Sequence, residues 1–217
     1  GSSSSSAASS SAAKTTAADQ ITAALANKLS NNNPVGMNGG SATGIAATWH
    51  VFESLYDLNV HDYSTYNALA ADDPKVIDDT HYEVTLRDGA KYSDGNAVVA
   101  ADVVKAFEAC RKDSNIGGFF SWLKTVTAKD EKTVAFEFAY PFSSLFKVRC
   151  SLVKVVPSAQ TEDELKKMPI GSGPWKYVSI SNDDGGIIEF APNEHYNGKL
   201  PATCKSMKWN ALQDADA

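Results

Sequence analysis

The side chains best suited to chemistry are four histidines, three cysteines, one serine between glycines and several adjacent aspartates. His50, His61, His81 and His195 share no HxH or HxxxH spacing, so the sequence alone places no pair to grip a metal from one strand or one helical turn. They read as structural or surface histidines. Cys110, Cys150 and Cys204 form no CxxC. A buried, inert thiol is the default for Cys110, and a Cys150–Cys204 disulfide is open to the chain in an oxidising compartment. Ser172 stands in Gly171-Ser172-Gly173-Pro174, where neither the GxSxG spacing nor the following helix of a nucleophile elbow is present. Asp183-Asp184-Gly185 lacks the remaining ligands of a calcium loop. Asp72-Asp73 and Asp78-Asp79 read as solvated turns rather than a catalytic dyad. The phosphate-cradling patterns GxxxxGK[ST] and GxGxxG do not occur. Taken by themselves, these residues predict no enzyme, no metal and no cofactor.

Composition narrows the class further. The chain has 217 residues, 43% of them hydrophobic and 21% charged, which is enough to build a core. Twenty basic against 26 acidic residues give a formal charge of -6, which argues against a general nucleic-acid or anionic-membrane binder. No run of about 18 apolar residues exists that would span a bilayer as a helix. The first 13 residues are only Gly, Ser and Ala, eight of them Ser. Residues 1–19 therefore read as a flexible tether that cannot bury apolar surface.

From residue 20 the chain is patterned to fold. Residues 21–29 read as a strand or a short helix. A loop rich in Asn and Gly follows, with Met37, Asn38, Gly39 and Gly40 at its end. Ile45, Trp49, Phe52 and Tyr56 recur at helical spacing, predicting an amphipathic helix over 43–58. Tyr82, Val84 and Leu86 alternate with polar residues and predict a half-buried strand. Residues 100–112 predict a helix with Val103, Ala106, Phe107 and Cys110 inward and Asp102, Lys105, Glu108 and Lys112 outward. Further strands are expected over 133–139, 175–180, 187–191 and 205–212, and helices over 143–152 and from Thr161 to Lys167. Helices and strands mix without strict alternation, so the class is α/β, in the mixed α+β sense.

Four segments carry a resemblance. Leu86-Arg87-Asp88-Gly89-Ala90-Lys91-Tyr92-Ser93-Asp94-Gly95, leading into Ala101-Asp102-Val103, resembles a signature of the family 5 extracellular solute-binding proteins, the oligopeptide- and dipeptide-binding components of ABC importers. Phe52-Glu53-Ser54-Leu55-Tyr56 resembles that family's FEGL segment. Pro169-Ile170-Gly171-Ser172-Gly173-Pro174-Trp175 is similar to its P-(V/I)-G-T-G-P-aromatic turn, and Asn193-Glu194-His195-Tyr196-Asn197-Gly198-Lys199-Leu200-Pro201 to its N-x-x-Tyr-x-G-x-x-P loop. Two departures stand out. Ser54 replaces a common Gly. Val99 replaces a Thr cap, which should cost the helix about 1 kcal/mol unless Asp102 compensates.

The resemblance implies a type II periplasmic-binding-protein fold and, from the length, only its N-terminal lobe, with mixed sheets flanked by helices. Residues 50–140 would form an outer α/β subdomain; residues 20–49 and 141–217 would form an incomplete hinge-proximal part. It implies capture of oligopeptides or dipeptides outside the cell or in the periplasm and delivery to an ABC permease. The tether would follow a lipid-anchored cysteine upstream of Gly1, the chain's one link to a membrane. Ligand contacts are expected from Met37, Asn38, Gly39 and Gly40 and from Phe120 and Trp122 of an aromatic cluster whose competing role is core packing. Because the partner for a ligand amine usually comes from the other lobe in this family, the chain alone is expected to bind weakly or not at all. The alternatives are a nickel, haem or other small-solute binder of the same family, a receptor or sensor, and a secreted hydrolase.

Overall fold

A computed structural model of the chain describes residues 19–25, 29, 31–35, 42–181 and 186–211. Two four-stranded sheets organise them. The first takes the order β4-β5-β7-β6, from β4 (Lys75–Asp78), β5 (His81–Thr85), β6 (Leu123–Ala128) and β7 (Thr133–Phe138), all antiparallel neighbours. The second takes the order β1-β10-β9-β8, from β1 (Gln20–Leu25), β8 (Trp175–Ser181), β9 (Ile187–Pro192) and β10 (Ser206–Ala211). Here β1 lies parallel to β10, with Gln20 opposite Ser206, while the other pairs are antiparallel. A small hairpin, β2 (Tyr56–Leu58) with β3 (Thr65–Asn67), stands between them in sequence.

The first sheet follows from its alternation. Val134, Phe136 and Phe138 of β7 and Tyr82 and Val84 of β5 point inward. They meet α2 (Ala100–Lys112), whose Val103, Ala106, Phe107 and Cys110 are buried as their spacing predicts. Aromatic rings fill this core edge to face: Phe107 lies 5.1 Å from Phe136, and Phe146 of α3 (Phe146–Cys150) lies 5.1 Å from Phe136 and 5.5 Å from Tyr82. In the second sheet Trp209, Phe190 and Tyr177 stack in sequence at 4.6 and 5.3 Å.

Three helices depart from expectation. The helix α1 (Ala42–Val51) ends seven residues short of the predicted 58. Its terminal Val51 carbonyl accepts the Gly173 N–H at 2.9 Å, and the chain leaves in extended form towards β2. Of the predicted apolar stripe, Phe52 and Tyr56 are buried beyond the helix end, but within the helix the face is reversed, for Ile45 and Trp49 are exposed while Thr43, Ala47 and Val51 are buried. The helix predicted over 143–152 is confined to α3.

The third correction concerns Asp102, which turns inward. One carboxylate oxygen accepts the Tyr92 hydroxyl at 2.8 Å and the Val99 N–H at 3.2 Å; the other accepts the Ser158 N–H at 2.9 Å. The aspartate thus takes over the capping that Val99, without a side-chain acceptor, does not give. Replacing Asp102 by alanine strands three donors and should lower unfolding stability by about 3 kcal/mol, read from urea denaturation. An unchanged midpoint would contradict this role. At α4 (Glu162–Lys167), a helix expected from Thr161, a reciprocal cap opens it: Thr161 Oγ1 accepts the Glu164 N–H and the Glu164 carboxylate accepts the Thr161 N–H at 2.8 Å.

No disulfide joins the cysteines. Cys150 is buried, its thiol pushed well above the usual range by burial and by the nearby Asp57 carboxylate, and the Cys204 thiol donates to the Ser206 carbonyl at 3.5 Å.

Candidate functional site

The four signature segments, spread over more than a hundred residues, meet in one place. Arg87 holds both oxygens of Glu53, Nη1 donating at 3.1 Å and Nη2 at 3.2 Å. Its Nη1 also donates to the Ala68 carbonyl, and its Nε donates to Asn197 Oδ1 at 3.0 Å. Asn197 in turn donates to the Asp88 carbonyl at 3.0 Å. The guanidinium carbon lies 5.9 Å from the centre of the Tyr196 ring. The Gly-Ser-Gly-Pro turn locks onto the same junction. Ser93 N–H donates to the Gly171 carbonyl at 3.0 Å, and Asn193 donates from its side chain to the Gly173 carbonyl at 2.9 Å.

Close approach explains both glycines of that turn. A Cβ on Gly171 would sit 2.1 Å from the Val51 carbonyl oxygen, and one on Gly173 would sit 2.6 Å from the Val51 carbonyl carbon. Gly89 and Gly95, each after an aspartate, have φ of 71° and 87°, the left-handed backbone expected there.

The junction is electrostatically closed. Glu53 is 4% exposed, and burial raises its carboxyl above the ordinary range against the opposing pull of Arg87. A second buried pair lies alongside: Lys154 Nζ donates to Asp57 Oδ1 at 2.6 Å, and Asp57 Oδ2 accepts the Ser54 N–H at 3.1 Å. Ser172 is fully buried and its hydroxyl has no partner of good geometry, although it lies near enough to Glu53 to favour the carboxylate. No histidine base stands beside it among the described residues. His50 packs edge-on against Trp209 at 5.4 Å, His81 pairs with Asp78 at 2.8 Å, and His195 lies under Gly95. The junction can position backbone; it offers no nucleophile and base in contact.

The residues expected to meet a ligand fall into two groups. Met37, Asn38, Gly39 and Gly40 lie outside the described residues. Phe120 and Trp122 are 0% and 1% exposed, so the structure gives them the core role. Phe120 meets Phe107 edge-on at 6.2 Å, Trp122 stacks on Phe142 at 4.8 Å, and the Trp122 indole donates to the Phe119 carbonyl at 2.8 Å. Neither ring has a face left for a solute. The exposed ring of the cluster is Phe119, displayed by a short 3-10 helix (Gly117–Phe120), with Tyr140 exposed nearby and its hydroxyl 3.4 Å from that of Ser121. The guanidinium of Arg149 on α3 lies over Phe119, 4.8 Å from the ring centre. Sequence reading selected the cluster but not its outward member, and it missed Arg149 because nothing in the local pattern sets that residue apart.

A lobe of one antiparallel and one mixed sheet tied together in this way is that of a type II periplasmic binding protein, the fold of the solved structures that superpose on it. One of these, the oligopeptide-binding protein AppA from Bacillus subtilis in complex with a nonapeptide, matches with a TM-score of 0.75 and 19% identity over 89% of this chain and 40% of its own. Residues 64–217 match the family described as bacterial extracellular solute-binding proteins, family 5 Middle, and the chain belongs to that family. Among curated relatives, protein XP55 of Streptomyces lividans is 30% identical over 161 residues, 70% of this chain and 29% of that protein. The glutathione-binding protein GsiB of Pectobacterium atrosepticum is 25% identical over 207 residues, 91% of this chain and 39% of that one. The chain thus spans less than half the length of the relatives it matches.

Proposed function

We propose that this chain is the first lobe of a two-lobed receptor that captures peptides outside the cell or in the periplasm and presents them to an ABC permease, without catalysing a reaction. The observation that carries the reading is the junction of Glu53, Arg87, Asn193 and Asn197, where all four family signatures lock together. A receptor that closes on its solute must move each lobe as one body, and a junction cross-linked by many hydrogen bonds around the buried Glu53 supplies that stiffness. The peptide assignment draws support from GsiB and AppA, whose names and titles refer to glutathione and to a nonapeptide. The cleft side of the lobe is assigned to the loop holding Met37, Asn38, Gly39 and Gly40 and to the rim displaying Phe119. The tether behind a lipid anchor ends at residue 18, since the Asp19 carbonyl accepts the Lys205 and Ser206 amides beside the second sheet.

Calorimetric titration of di- to pentapeptides tests this. The gene product carrying both lobes should bind at micromolar concentration, and this chain far more weakly. Failure of the two-lobed product to bind any of them would overturn the peptide reading; micromolar binding to this chain would overturn the need for a second lobe.

A further inference from the structure

The chain has three arginines. Arg87 and Arg111 each hold both oxygens of a glutamate, Glu53 and Glu108. Arg149 has no carboxylate partner among the described residues. An arginine without a counter-ion ordinarily extends into water. This one is laid down on the Phe119 ring, its Nε shut off from solvent without an acceptor, while its terminal nitrogens are not closed off. Phe119 is 47% exposed, Leu145 one turn before Arg149 is 44% exposed, and two residues beyond Phe119 the Ser121 hydroxyl pairs with that of the exposed Tyr140. A fixed, partly desolvated cation beside an aromatic shelf gains most from a planar anion, which a guanidinium engages through two parallel N–H bonds.

We propose that Arg149 is a receptor for a ligand carboxylate, with Phe119 as the shelf for the atoms next to it. The inference rests on the solute-binding reading and narrows the ligand to one that carries a carboxylate, whether a peptide terminus or a small organic acid. The buried Nε–H should exchange slowly, so nitrogen–proton NMR of the chain should show it as a resolved arginine signal, assigned by its loss in Arg149→Lys. Three probes are titrated at millimolar concentration: trialanine, trialanine amide and acetate.

Trialanine should move the Arg149 signal and the Ser121 and Leu145 backbone amides saturably, and the amide should not. Acetate matching trialanine points to a small acid; acetate much weaker points to a peptide. In Arg149→Lys, which keeps the charge but loses the fork and the stacking, the Ser121 and Leu145 shifts should require about tenfold more trialanine. Unchanged signals from β8 and β9 establish that the variant is folded. Equal shifts with the amide, or no effect of Arg149→Lys, would overturn the carboxylate site while leaving solute binding intact. Absence of any shift with all three probes would overturn the carboxylate site, while the solute-binding reading stands or falls on titration of the two-lobed product.

Discussion

Replacing Gly171 by alanine is expected to lower the stability of the chain by at least about 4 kcal/mol, a loss in the range reserved for changes that a packed structure does not absorb. The new methyl would sit 2.1 Å from the Val51 carbonyl oxygen and 2.8 Å from the Phe52 ring. Neither side can give way cheaply. Val51 ends α1 and spends its carbonyl on Gly173, while Gly171 spends its own on Ser93. Gly118→Ala is the control, since a Cβ there meets nothing within 4 Å. Urea unfolding of both variants measures the difference. Equal midpoints would mean that the two backbones do not approach as described.

The second large effect is expected from Arg87→Met. It leaves Glu53 buried beside Asp57 with its principal counter-charge gone. Breaking a buried pair from one side costs about 3 kcal/mol or more at neutral pH. The pH dependence has a defined sign. The Glu53 carboxyl is already raised in the folded state, first by burial, and loss of Arg87 removes the strongest pull in the other direction, leaving only that of Ser172. A carboxyl with a raised folded value binds its proton more tightly when folded. Stability is then lost as pH climbs from its unfolded value of 4.5 through the folded one, and is regained on descent. The gap between Arg87→Met and the parent chain should therefore narrow between pH 7 and pH 5. A gap that stays constant or widens on acidification would show that the cost lies in lost packing rather than in an unpaired charge.

Much of the fold was legible where one face of an element is buried and the repeat is undisturbed. The helix α2 and the strands β5 and β7 are of this kind, and α4 announces itself through Thr161 and Glu164. Of the elements missed, β2 and β3 are three residues each, too short to show a repeat, and β4 and β6 have a broken one. In β6 a register shift between Leu123 and Thr125 leaves Leu123 and Val126 inward, a spacing of three that no strand template contains. In β4 every residue is exposed and a shift falls between Val76 and Asp78. The reversed face of α1 has another cause. Small Thr43 and Ala47 pack inward, and bulk alone selected Ile45 and Trp49.

The junction was half legible. Its segments were recognisable one by one, but Arg87 is 34 residues from Glu53 and 110 from Asn197, and only folding shows that they touch. For the rim, the aromatic run from Phe119 to Trp122 marked the place. Which rings face out is set by the turn of the 3-10 helix and by the pull of Phe107 and Phe142, both distant in sequence.

The parallel pairing of β1 with β10 sets the order of events during synthesis. Gln20 waits for Ser206, 186 positions further on, and at ~5–20 residues per second that stretch takes roughly 10–40 s to emerge. The first sheet, closed entirely within residues 75–138, has no such wait. The molecule should thus be born with one sheet able to fold early and the other held open until Ser206 has emerged, its first strand waiting to dock.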